Sequence, residues 1–240
     1  MTDLTDRQIQ IIRAVVEEYS KSAEPVGSST LDRKYNLGVS PATIRNEMAY
    51  LVELGYLVQP HTSAGRIPSP TAIKLYINEL MKERNLTVAE EVSAKEKLWE
   101  KRHNLEDVLR LTTYELARRT GNIGIAITDD MKIYHAGYAH ILDMPEFFDI
   151  DVTRTVLQML DEAQQLMEIL RLSHSEREIH ILLGDDFRNE FLQPVSIVYS
   201  EFHTPHHRGS IGVIGSCRID FPYVVPLVRH FTRLINEIAL

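Results

Sequence analysis

Apolar positions recur at helical spacing through the first third of the chain. Ile9, Ile12, Val16 and Tyr19 form one stripe, and Thr5 with Gln8 three residues on is a capping-box start, so a helix is predicted from there to near Ser20. Lys21–Gly27, containing Glu24-Pro25-Val26-Gly27, reads as a turn, after which Ser28 or Ser29 caps a short helix holding Leu31 and Tyr35. A third helix is predicted from Pro41 to about Leu54, with Ser40 as its N-cap and Gly55 at its stop. Ile44, Met48 and Leu51 share its core side. Ala42, Asn46 and Ala49 point the opposite way, with Thr43 and Tyr50 on one flank and Arg45 on the other. Then come a short apolar run (Tyr56, Leu57, Val58), the loop His61-Thr62-Ser63-Ala64-Gly65-Arg66 and a second short extended piece.

Beyond Pro70 the pattern changes twice. Residues 71–120 are helix-prone and highly charged, with an irregular apolar spacing and a break at Asn85-Leu86-Thr87; the heptad of a coiled coil is not sustained. From Asn122 short apolar runs take over. Strands are predicted at Ile123–Ile127, Lys132–Tyr138, Glu178–Leu183, Val195–Phe202 and Ser210–Ile214, with an amphipathic helix over 151–172 and a terminal helix over about Pro222–Ile238. Antiparallel strands flanked by helices make the fold class α+β. The expected division is a first domain over 1–72, a helical connector over 73–120 and an α+β domain over 121–240.

Three helices, a strand, a glycine-containing basic loop and a strand make the winged helix-turn-helix arrangement. The outward face of the third helix is small and polar, as insertion into a major groove requires. The candidate DNA-binding residues are Ser40, Thr43, Arg45 and Asn46 on that helix, and His61, Thr62, Ser63 and Arg66 in the wing. Asn46 suits a base edge, Arg45 and Arg66 suit phosphates or guanine, and Gly65 would let the wing backbone approach the DNA closely.

Composition narrows the class. No apolar run approaches the ~18–20 residues of a membrane span, and the polar, acidic MTDLTDRQ start is expected to be neither a signal nor a transit peptide. One cysteine, Cys217, rules out a disulfide framework and fits a cytoplasmic protein. The net charge is −8, yet residues 1–76 hold eight Lys/Arg and eight Asp/Glu, so the deficit lies wholly in residues 77–240. A neutral reading module on an acidic body suits specific, salt-sensitive DNA binding.

The segments LTDRQIQIIRAVVEEY, EPVGSSTL, LGVSPATIRNEMAYLVELGYL and QPHTSAGRIPS, with the closing GSIGVIGSCRIDFPYVVPLVRHFTRLINE, resemble the HrcA family of bacterial heat-inducible transcription repressors. The resemblance implies a winged-helix domain, a GAF-like C-terminal domain and a homodimer on double-stranded DNA at an inverted-repeat operator of chaperone genes. It also implies activation by the chaperonin GroEL. The chain is shorter than family members usually are, and the shortfall is expected in a central inserted segment that helps dimerise.

Other chemistries are weakly supported. His203, His206 and His207, with Glu201 nearby, lack helical i, i+4 spacing or a cysteine partner, so no metal site is expected. No paired carboxylates or nucleophile constellation suggests an enzyme, and no cofactor motif is present. The alternative is a ligand-sensing regulator in which Tyr134, His135, Tyr138, Phe147 and Phe148 line a pocket, although the same residues could fill a core.

Overall fold

The structure, a computed structural model, describes residues 4–172 and 177–238; the first three residues of the polar start lie outside them. The chain divides into two compact units, Met1–Lys82 and Glu83–Leu240.

In the first unit, α1 (Asp6–Ser22) begins on the Thr5–Gln8 capping box, with both reciprocal hydrogen bonds made. α2 (Ser28–Tyr35) is capped by Gly27, not by either serine. The cause lies outside the helix. Val26 exchanges two backbone hydrogen bonds of 2.8 Å with Arg66, and Gly27 leaves that pairing in an extended conformation with the helix directly behind it. α3 (Pro41–Glu53) follows the predicted bounds, with Ser40 Oγ accepting from the Thr43 N–H at 3.2 Å. β1 (Leu57–Val58) and β2 (Ile67–Pro68) pair antiparallel, Leu57 opposite Pro68. Ser69 then caps α4 (Pro70–Leu75), which widens to π spacing over Tyr76–Leu80. The Ser69 hydroxyl also donates to the Gly55 carbonyl at 2.7 Å, tying the exit of β2 to the end of α3. Ile11, Ile12 and Val15 of α1 meet Leu31, Ile44, Met48, Leu51 and Leu57 in one core, each contributing roughly 1.5–3 kcal/mol by burial.

The second unit is built on a five-stranded antiparallel sheet in the order β4-β3-β7-β6-β5. Its strands are β3 (Ile123–Thr128), β4 (Ile133–Ala136), β5 (His180–Leu183), β6 (Val195–His203) and β7 (Arg208–Ser216). Five helices matter here: α5 (Val88–Lys101), α6 (Leu105–Thr120), α8 (Ile150–Asp161), α9 (Ala163–Leu170) and α10 (Phe221–Ile238), with the short α7 (Tyr138–Ile141) between β4 and α8. α8 and α9 cover one sheet face through Val156, Leu160, Leu166 and Leu170 against Ile125, Ile197 and Ile214. α6 and α10 cover the other. Burial on both faces explains why β3 and β7 read as continuous apolar runs without alternation.

Two helical readings change. The helix expected over 151–172 is two helices, because Glu162 is extended between them (φ −117°, ψ 98°) while the same apolar face continues across the break. Residues 73–120 do not form one piece either: α4 belongs to the first unit, while α5 and α6 pack in the second. A buried carboxylate of α6 links that helix to α5 through Lys97. Glu115, with a side chain 2% exposed, accepts from Lys97 at 2.7 Å, Arg118 at 2.9 Å and Arg119 at 3.1 Å. Burial alone would push its carboxyl up; the hydrogen bonds from Arg118, Lys97 and Arg119 outweigh that and bring it down to about 2.

Candidate nucleic-acid interface

α3 presents its N-terminal half outward because Ile44, Met48 and Leu51 are fully drawn into the core. Arg45 and Asn46 are exposed, with the small Ala42 and Ala49 on either side along the helix. The hydroxyls of Ser40 and Thr43 lie 3.0 Å apart and share the capping bond, so both are engaged in starting the helix. The wing is a tight loop. The Ala64 N–H closes a turn on the His61 carbonyl at 2.9 Å, and the Gln59 amide donates to Thr62 O at 2.8 Å and Ala64 O at 3.4 Å. His61, Thr62 and Ser63 are exposed at its tip.

Gly65 has a packing role that its sequence context does not announce. A Cβ there would lie 2.5 Å from both the carbonyl carbon and oxygen of Val26 and 2.7 Å from Pro25 O. The missing side chain therefore lets the wing close on the turn before α2, and the Val26–Arg66 pairing locks it there. Arg66 is half-buried; its Nη1 donates to Ala64 O at 3.1 Å.

A cavity of about 390 Å³ lies between wing, α2 and α3, and Arg45, Arg66, Thr62 and Ser63 line it together. Ser40, Thr43, Asn46 and His61 are outside its lining. Gly27, Ser28, Ser29 and Gln59 also line it and were not among the candidates. The available signal was the Gly-Ser-Ser run opening a helix, which reads as a cap when the wing behind it is not seen.

Burial pushes the Cys217 thiol up to about 12, and its Sγ donates to Val195 O at 3.2 Å. Since the thiolate is the nucleophile, iodoacetamide is expected to modify the native chain far more slowly than the denatured one. Equal rates would contradict this assignment. Asp129, Asp130 and His207 bring potential ligand atoms within 4.8 Å of one another at the turns after β3 and β6. Lys132 sits 3.4 Å from Asp130, and the group is largely exposed. Of the five aromatic candidates, Tyr134 and Phe147 are buried, His135 and Tyr138 contact each other at the surface, and Phe148 is 71% exposed. Tyr134 lines a cavity of about 280 Å³ beside the Lys132–Glu106 ion pair.

Comparison with known proteins bears on the whole chain. A family model described as the HrcA protein C terminal domain matches residues 67–225. The heat-inducible transcription repressor HrcA of Symbiobacterium thermophilum is 28% identical, in an alignment covering 98% of each chain. That alignment runs over 335 positions, so roughly 100 of them face no residue of this 240-residue chain. The protein of the same description from Acetivibrio thermocellus is 43% identical over 129 residues, 54% of this chain and 37% of that one. A solved structure described as a hypothetical protein at 2.2 Å resolution shares the fold, with a TM-score of 0.76 at 17% identity over 98% of this chain and 97% of that one.

Proposed function

The chain belongs to the HrcA family, and from that premise we propose that it represses chaperone genes by binding an inverted-repeat operator as a homodimer. As a member of a family of transcription repressors, it is a regulator, not an enzyme. In this reading α1–α3 with the β1–β2 hairpin form a winged helix-turn-helix domain, and the five-stranded unit is a GAF-like regulatory and dimerisation domain. Among the described residues no helix is long and apolar enough to cross a membrane, and a cytoplasmic location is part of the proposal.

One observation carries the reading. Arg45 from α3 meets Arg66, Thr62 and Ser63 from the wing around a cavity whose lining holds no Asp or Glu, in a chain of net charge −8. A surface lined by two arginines and no acid suits a polyanion. Asn46, exposed one turn into α3, is the base-reading candidate. Two-fold symmetry then sets two such helices on half-sites a whole number of helical turns apart.

The heat response follows from mass action. If the chaperonin GroEL promotes the folded, active repressor, heat-damaged proteins that occupy the chaperonin leave less repressor folded, and its genes are released. The test is a salt-titrated anisotropy assay on an inverted repeat taken from ahead of the chaperone genes against a scrambled duplex, with and without chaperonin. Specific binding raised by chaperonin supports the reading, and equal binding to both duplexes refutes it. In the same assay Arg66→Ala is expected to weaken binding to both duplexes and make the slope of log K against log salt shallower by about 0.9, the loss of one phosphate contact. A slope equal to that of the wild type would remove Arg66 from the interface.

A further inference from the structure

The walls of the cavity between α2 and the wing are complementary in a way the repressor reading does not require. On one side stand two guanidiniums, Arg45 and Arg66. Among the described residues neither has a carboxylate within ion-pair distance, and the Arg66 Nε is buried with no acceptor. On the other side is the first turn of α2. The Thr30 and Leu31 N–H groups return to the Gly27 carbonyl at 3.0 and 3.2 Å, but Ser28 and Ser29 N–H meet no protein acceptor among the described residues, and Gly27 has no side chain with which to take the Ser29 N–H. Unpaired first-turn amides, with the positive end of the helix dipole behind them, favour an anion. The distance between the two walls is held by the Val26–Arg66 pairing.

We propose that this cavity seats one phosphate diester of the DNA backbone, gripped by the Ser28 and Ser29 N–H groups on one side and by Arg45 and Arg66 on the other. The proposal rests on the DNA-binding reading and sharpens it. Arg66 is spent on the backbone and not on a base, the wing works as a clamp that fixes the register of α3, and sequence is read by Asn46. The uncapped Gly27 is then a functional choice: a better helix cap at that position would fill the seat.

Gly27→Asp tests this without threatening the fold. No atom lies within 4 Å of a Cβ at residue 27, the backbone is extended there (φ −93°, ψ 153°), and Asp is a favoured N-cap, so the melting temperature should hold or rise. The new carboxylate takes the first-turn N–H groups and repels phosphate. On a duplex that the wild-type protein selects from a random-sequence pool, affinity should fall about tenfold. The salt slope should become shallower by about 0.9. Gly27→Asn, which occupies the same N–H groups without charge, should fall in between. Duplexes with single phosphates replaced by neutral methylphosphonates should show one position per half-site that weakens the wild type but not Gly27→Asp. A folded Gly27→Asp with wild-type affinity and slope overturns the proposal. If the wild type selects no duplex at all, the DNA reading itself fails, and inorganic phosphate alone decides the seat. A rise in wild-type melting temperature that Gly27→Asp lacks would retain it as a site for free phosphate, and no rise would abolish it.

Discussion

A Gly65→Ala chain is expected to bind DNA about tenfold more weakly while its second unit melts unchanged. The added methyl would stand 2.5 Å from the Val26 carbonyl, and the obstructing atoms are backbone, so no side chain can turn aside. The wing must lift, which opens the two 2.8 Å hydrogen bonds between Val26 and Arg66. At about 0.5–1.5 kcal/mol each, their loss destabilises the first unit by roughly 1–3 kcal/mol. Arg66 and the Thr62–Ser63 tip move with the loop, so the residues that line one cavity with Arg45 no longer face it. Calorimetry on the full chain separates the effects, since only the first unit should melt earlier. Wild-type affinity with an unchanged melt would show that the wing is not held as described.

Glu115→Ala is expected to have the largest effect on stability, about 3–5 kcal/mol from the second unit. The carboxylate is buried and faces three cations, of which Arg119, with a side chain 6% exposed, has the least recourse to water. Among the described residues, removing the acid leaves that guanidinium beside Phe231 with only the Glu90 carbonyl as a hydrogen-bond acceptor. For a unit of this size the melting temperature should fall by roughly 6–20 °C. Acid titration supplies an independent check. The Glu115 carboxyl titrates lower in the folded chain than its ordinary value of 4.5, so its contribution is complete above that value and fades as pH falls toward about 2. The alanine chain should lack that part of the acid limb. A melting temperature within a degree or two of the wild type would mean that the cations do not depend on Glu115.

Local signals were legible in the sequence, and long-range ones were not. The face and bounds of α3 could be read because Ser40, Pro41 and Gly55 act within a turn or two of their own positions, and Ile44, Met48 and Leu51 follow helical periodicity. The same holds for the strands of the second unit and for the capping box of α1. The clamp between Val26 and Arg66 joins residues distant in sequence, with no pattern to announce it; hence neither the packing role of Gly65 nor Gly27 as the cap of α2 could be read. Glu115 sits in a charged helical stretch where a solvated carboxylate is the ordinary expectation, and only the packing of α5 against α6 buries it. Glu162 interrupts a helix without interrupting its apolar period, so periodicity alone carries a reader across the break. The exposed Phe148 shows the limit of hydrophobicity as a guide to burial.

The most direct measurement of the central claim is selection of duplexes from a random-sequence pool by the full chain, followed by the mass of the selected complex. The account predicts an enriched inverted repeat, with half-sites a whole number of helical turns apart and two chains per duplex. A pool that emerges unenriched, or a single unrepeated site holding one chain, would contradict it.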